Sequence, residues 1–265
     1  MSRRASVERK THSEDFCWGR NPVMSLLEDA PSRCLKVFVA KTMQNAFFAK
    51  VTELCRASGI PYYAVEARAL DEMLDGESHQ GVAASVAQAP MIALADAEGL
   101  LPAAPAPIMA VVADHVQDPR NLGAMIRSAE AAGAAFVALP ARRGALPTGT
   151  VAKTSAGASL RLPLASAGNV ANAVRELQKA GLWAIGLDES ARATIYDSPI
   201  PARCLFVVGS EGEGISRTAA AACDETLRIP ADCGPGSLNA SVALSVAMFE
   251  WLRLNRMSYL RSENA

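Results

Sequence analysis

The run Ile108–Ala113, IMAVVA, is apolar without interruption. A strand with one face in water alternates apolar and polar residues. An unbroken run therefore belongs to a strand buried on both faces, the habit of parallel sheets. Comparable segments recur at Ala135–Leu139, Trp183–Leu187, Leu205–Gly209 and Thr226–Ile229, with helical patterns after Asp118 and over 170–180. Strands alternating with helices at this spacing predict a parallel sheet covered on both faces. Ligands of such sheets bind outside the carboxyl ends of the strands, so the loops leaving those ends are where chemistry is sought.

A smaller α/β block precedes this one. Asn21-Pro22 opens a helix to about Asp29, Cys34–Ala40 reads as a strand, and a helix crosses Asn45–Ser58. Tyr62–Val65 is a short strand, Leu70–Leu74 a helical turn and Val82–Ala87 a last strand. Four segments follow: a flexible basic arm at 1–14, a compact domain at 15–88, a Pro/Ala-rich linker at 89–107 and the large domain at 108–265. The arm carries Arg3, Arg4, Arg9 and Lys10 and has too little apolar content to offset its ordering entropy. Pro102, Pro105 and Pro107 make the linker an extended spacer.

With half of its 265 residues hydrophobic, the chain can bury a substantial core. Its net charge of −1 offers no overall positive field, so any RNA site is a local patch. The six cysteines show no CxxC spacing and follow no secretory signal. They read as reduced thiols of a cytoplasmic protein, and three scattered histidines argue against a metal site. No stretch approaches the length of a membrane span.

Three loops leave the strand ends. The first is DHVQDPRNLGAMIRSAE, Asp114–Glu130, where Asp118 as N-cap and Pro119 at the first helical position start a helix that Gly133 ends. Asn121 lies in its first turn, and Gly123 and Ala124 leave Arg127 room to fold back towards the helix start. Equally, Arg127 reads as a surface ion-pair former with Glu130 or Glu211, and Asn121 as a second cap. The second loop, GSEGEG at 209–214, follows a late strand with glycines spaced GxxGxG. That is not the dinucleotide fingerprint, and Glu211 and Glu213 would repel a diphosphate. The loop reads as flexible, with open N–H groups. In the third, Gly234, Pro235 and Gly236 force a sharp turn, and Ser237 caps a helix running from Leu238 to about Met257. This helix is apolar nearly all round, so part of it is expected to meet a second subunit.

In this order, the motifs Asn121-Leu122-Gly123 with Arg127, Gly209-Ser210-Glu211-Gly212 with Gly214, and Ile229-Pro230 with Ser237-Leu238-Asn239 resemble those of the SpoU/TrmH family. These are RNA ribose 2′-O-methyltransferases of the SPOUT superfamily. Trp18-Gly19-Arg20-Asn21-Pro22-Val23 and His79-Gln80-Gly81-Val82 are similar to the ends of an L30e-like RNA-binding domain. The resemblance spans about 16–256 and is strongest to the RlmB-type enzymes, which methylate a guanosine ribose in 23S ribosomal RNA. One departure stands in the third motif: Ala231-Asp232-Cys233 replaces the family's usual Met-x-Gly.

The resemblance implies a C-terminal parallel-sheet domain with a trefoil knot, an S-adenosylmethionine cofactor and a homodimer. General rules make knots rare, and nothing in the sequence pattern shows one. It implies Arg127 as the main catalytic residue, with Asn121, Glu211, Ser237 and Asn239 around it. Gly209, Ile229 and Leu238 would hold the cofactor. Transfer RNA as substrate, or an inactive RNA-binding assembly factor, are the alternatives. A nicotinamide dehydrogenase is disfavoured because no GxGxxG follows Ile108–Ala113.

Overall fold

The computed structural model describes residues 15–43, 46–87, 91–141, 144–231 and 238–256. The expected basic arm at 1–14, the Cys233–Gly236 turn and Ser237 lie outside them. The first sheet takes β1 (Asp15–Trp18), β2 (Cys34–Ala40), β3 (Tyr62–Val65) and β4 (Val82–Val86) in the order β1-β4-β2-β3. Only the β2–β3 pair is parallel. The helices α1 (Arg20–Asp29), α2 (Ala46–Ala57) and α3 (Ala67–Met73) accompany it. Cys17, Val37, Val39, Val82 and Ala84 pack into one core with Leu26, Val51 and Cys55. Trp18, Ala40 and Ala83 form a smaller cluster with Leu70 and Leu74 of α3 and the loop after it.

Seven strands make the second sheet. They are β5 (Ile92–Ala93), β6 (Ile108–Ala113), β7 (Val137–Pro140), β8 (Leu164–Gly168), β9 (Trp183–Leu187), β10 (Arg203–Val208) and β11 (Glu225–Leu227). Their order is β11-β9-β10-β6-β7-β8-β5, parallel throughout. Met109, Val111 and Ala113 of β6 enter one core while Ala110 and Val112 enter another on the opposite face. In β10, Cys204, Phe206 and Val208 alternate with Leu205 and Val207 in the same way. The unbroken apolar runs are thus two interleaved sets, each buried against helices. A large side chain so buried stabilises the fold by roughly 1.5–3 kcal/mol.

Helix α5 (Pro119–Ala132) lays Leu122, Met125, Ile126, Ala129 and Ala132 on the first core. Its boundaries follow local chemistry. The Asp118 side chain accepts from Arg120 N, Pro119 has no N–H that would need an acceptor, and Gly133 at φ 77° closes the end. Helix α10 (Ala240–Trp251) packs beside it through Leu244, Ala247, Met248 and Trp251. Its N-cap is Asn239, accepting from Ser241 N, where the sequence pointed to Ser237. The α-helix also stops earlier than expected, passing at Leu252–Arg256 into a π turn.

Several elements escape the sequence pattern. The spacer at 89–107 contributes an edge strand, β5, and α4 (Leu94–Glu98), whose Leu94 and Ala97 join the second core. Strand β8 reads LASAG, too poor in β-branched or aromatic residues to announce itself. Between β7 and β8 lie α6 (Gly149–Thr154) and α7 (Ala158–Arg161), and α8 (Val170–Lys179) and α9 (Arg217–Ala220) complete the helices.

Helices α6 and α7 join the two halves. Gly149 stands so close to the backbone of Phe16 that a Cβ there would lie 1.7 Å from its carbonyl oxygen. Ala152 enters the core of the first sheet, and Lys153 Nζ lies 4.5 Å from the centre of the Trp18 ring. Lys153 also donates to Glu77 over 2.8 Å. Arg161 binds Asp29 and Ser25 on one side and Glu130 on the other.

Candidate active site

Between β6 and β10 the chain changes direction: β6 to β8 step towards one edge, and β9 and β10 return on the other side. Loops at such a switch point open a crevice at the carboxyl ends. Asn121, in the first turn after β6, donates through Nδ2 to Glu211 Oε2, in the loop after β10, over 2.9 Å. Asn239, before α10, donates to Asn121 Oδ1 at 3.0 Å and to Glu211 Oε1 at 3.5 Å. One polar cluster therefore unites a residue from each of the three loops.

The cluster leaves little freedom in its amides. Asn239 spends its oxygen on Ser241, accepting from N at 2.9 Å and from Oγ at 2.6 Å, so its NH2 must face Asn121 and Glu211. Asn121 then has its oxygen towards Asn239 and its NH2 towards Glu211. Starting side by side at this cluster, α5 and α10 run on together, with Ser128 and Ser245 joined by a 2.8 Å hydrogen bond further along. Two helix N-termini meet at one point, where their dipoles favour the Glu211 carboxylate.

The glycine loop is more closed than its sequence suggests. Ser210 N donates to Gly214 O at 3.1 Å and Gly214 N to Ser210 O at 3.0 Å, with Gly212 and Gly214 at positive φ. Gly209 lies against this turn. A Cβ there would be 1.8 Å from Gly214 O, so glycine is a packing requirement.

Gly123 also differs from expectation. Its missing side chain makes room for Thr154 of α6, whose Oγ1 would be 1.9 Å from an added Cβ, and not for Arg127. The Arg127 side chain is exposed, with no ion pair or hydrogen bond to the described residues. Glu130, one candidate partner, pairs with Arg161, and Glu211, the other, is held by the two asparagines. Ile229 is half-buried against the first core and Leu238 is exposed.

Sequence reasoning passed over Asp114 and His115. Asp114 is buried at the end of β6, accepts from Ser216 N at 2.7 Å and binds His115 Nδ1 through its other oxygen. It thereby ties the first loop to the end of the second. His115, Gln117, Gly144, Glu213 and Ser216 line a cleft of about 630 Å³. An acid immediately after an apolar strand was the available signal. Among the described residues no cluster of His, Cys, Asp or Glu could hold a metal, and no helix is long and apolar enough to cross a membrane.

This is an α/β protein whose polar site is assembled at the switch point of a parallel sheet. It belongs to the SpoU rRNA methylase family, whose model matches residues 108–249, and residues 16–91 match the RNA 2′-O ribose methyltransferase substrate-binding family. The 23S rRNA (guanosine-2′-O-)-methyltransferase RlmB of Xanthomonas campestris is 38% identical over 235 residues, 89% of this chain and 94% of that one. The RlmB of Photobacterium profundum is 35% identical, covering 91% and 98%. Among solved structures, AviRb of Streptomyces viridochromogenes in complex with AdoMet shares the fold, with a TM-score of 0.75 at 24% identity over 96% of this chain and 95% of that one.

Proposed function

We propose that the protein transfers a methyl group from S-adenosylmethionine to the 2′-hydroxyl of a guanosine ribose in 23S ribosomal RNA, acting in the cytoplasm. The observation carrying this reading is the hydrogen-bonded meeting of Asn121, Glu211 and Asn239, one from each family motif. The similarity to RlmB enzymes along nine-tenths of the chain supports the choice of RNA. The knot of the SPOUT superfamily, the L30e-like character of the first domain and the homodimer belong to the same proposal. Val242 and Phe249, exposed on α10 at 46% and 47%, suit a face covered by a second subunit.

The site's chemistry fits the cofactor. Gly209 and the tight Ser210–Gly214 turn offer backbone groups without side chains in the way, Glu211 and Glu213 suit a cationic ligand bearing hydroxyls, and Ile229 and Leu238 supply apolar surface. When bound, the cofactor supplies a methyl already activated on sulfonium. The protein's task is alignment, which contributes roughly 7–11 kcal/mol in well-oriented reactions.

Arg127 holds the negative charge that grows on the ribose oxygen as its proton passes to solvent water, or grips the adjacent phosphate. A guanidinium presents five donors and no acceptor, so electrostatic stabilisation suits it better than proton abstraction. Asn121, Glu211 and Asn239 tie the three loops together, and Ser237 is assigned to the same catalytic set. Arg127→Lys should lose most of the transfer rate while binding S-adenosylmethionine nearly as well, and near-normal turnover would refute the role. Loss of one guanosine 2′-O-methyl from 23S ribosomal RNA on gene deletion tests the substrate.

A further inference from the structure

The first sheet presents an aromatic row that the transfer chemistry does not use. Trp18, Ala83, Phe38 and Tyr63 are cross-strand partners from β1 through β4 and β2 to β3, and Phe16, Ser85 and Lys36 form the next row on the same face. Small Ala83 and Ser85 on β4 let the rings of the flanking strands lean together. Phe16 and Phe38 have centroids 6.2 Å apart, and Phe38 and Tyr63 stack at 5.8 Å and 27°. Lys36 Nζ lies 5.9 Å from the centre of the Phe38 ring. Leu70 and Leu74 cover the Trp18 end, whereas Tyr63 stays 51% exposed.

The row leads into a cleft. Phe16 and Trp18 also line a cleft of about 570 Å³ between the two halves, bounded by Leu74 and Glu77 on one side and by Arg120 and Lys153 on the other. Arg120 immediately precedes Asn121 in the chain. A strip of rings thus runs from the exposed Tyr63 through the half-buried Phe38 and Phe16 to the buried Trp18, and the last two line a cleft that Arg120, at the start of α5, also lines.

We infer that this strip is a stacking platform for unpaired bases of the RNA strand flanking the target nucleotide. The inference rests on the methyltransferase reading. Every base has a flat π-face, so an aromatic row binds single strands with little regard to sequence, and four-stranded sheets elsewhere use such rows on two or three bases. The charge beside the rings is mixed: Lys36 sits at the platform, and Lys153 and Arg120 line the cleft together with Asp75 and Glu77. Glu77 accepts from Lys153 at 2.8 Å and lies 3.8 Å from Arg120, partly neutralising both. Stacking therefore carries more of the contact than phosphate neutralisation does, and the salt dependence is shallow.

The test uses the full-length protein, a fluorescein-labelled unstructured oligouridylate and the variants Tyr63→Ala and Tyr63→Phe. Tyr63→Ala is expected to weaken binding of the oligonucleotide about 5- to 100-fold, and Tyr63→Phe to stay within about twofold of wild type. S-adenosylmethionine affinity, measured calorimetrically on the same samples, should match wild type in both. Wild-type RNA affinity in Tyr63→Ala overturns the platform. So does loss of self-association in place of RNA binding, which would give the face to a second copy of the chain. Failure of wild type to bind S-adenosylmethionine would strike the transferase reading separately, leaving the oligonucleotide result to stand or fall alone.

Discussion

Asn121 and Asn239 are 118 residues apart in the chain, and a 3.0 Å hydrogen bond joins their side-chain amides. Glu211 accepts from both, so the starts of α5 and α10 and the loop after β10 are tied at one point. Because Ser241 orients the Asn239 amide, which in turn orients that of Asn121, the cluster is a rigid joint between three motifs.

Glu211→Ala removes the shared acceptor while leaving the Asn121–Asn239 bond possible. Methyl transfer is expected to fall about 100-fold, the size of loss that small misplacements cause in aligned reactions. Single-turnover transfer of a labelled methyl group to ribosomal RNA measures it. A rate within twofold of wild type would place Glu211 outside the reaction.

Gly209→Ala and Gly212→Ala separate packing from backbone freedom. The first puts a Cβ 1.8 Å from Gly214 O and 2.2 Å from Ile215 N, backbone atoms that cannot swing away, while the second has open space and only its φ of 87° against it. Gly212→Ala should cost about 1–2 kcal/mol, the strain of left-handed backbone. Gly209→Ala should cost about 3 kcal/mol or more, as overpacking does at its upper end. Urea unfolding ranks the two, and a reversed order would contradict the tight turn.

The contact between the halves should weaken in acid. The hydrogen bond from Ser25, and then Arg161, holds the Asp29 carboxyl below its ordinary 3.8, and Lys153 first, with Arg120 behind it, holds Glu77 below 4.5. A carboxyl lowered on folding stabilises above its unfolded value, and that contribution is lost as pH falls through the folded one. Both contributions are thus complete above about pH 5 and fade below about pH 4. The difference in melting temperature between wild type and Asp29→Asn should shrink from pH 5 to pH 3, and a constant difference would refute the link.

Thiol reactivity gives a fourth test. Burial pushes Cys17, Cys34 and Cys223 up to about 12 from 9.0, and raises Cys55 and Cys204 as well. For the first three, the thiolate fraction at pH 8 is about a thousandfold below that of an ordinary thiol. Iodoacetamide should label them only after unfolding, as mass spectrometry of the digested protein would report. Rapid labelling of Cys17 in native protein would contradict its burial.

What the sequence determined by itself is whatever depends on neighbours in the chain. The run Ile108–Ala113 declared a doubly buried strand, and Asp118, Pro119 and Gly133 set both ends of α5, because capping and backbone preference act within a few residues. Strand β8 was invisible for the same reason turned round: Leu164–Gly168 has no local preference, and only its place between β7 and β5 makes it a strand. Tertiary structure decided where α10 begins, with Asn239 as its cap, that Thr154 fills the space beside Gly123, and that Glu211 faces two asparagines and not Arg127. The last two join residues tens of positions apart. The order in which seven parallel strands lie side by side, which no local pattern encodes, brings them within reach.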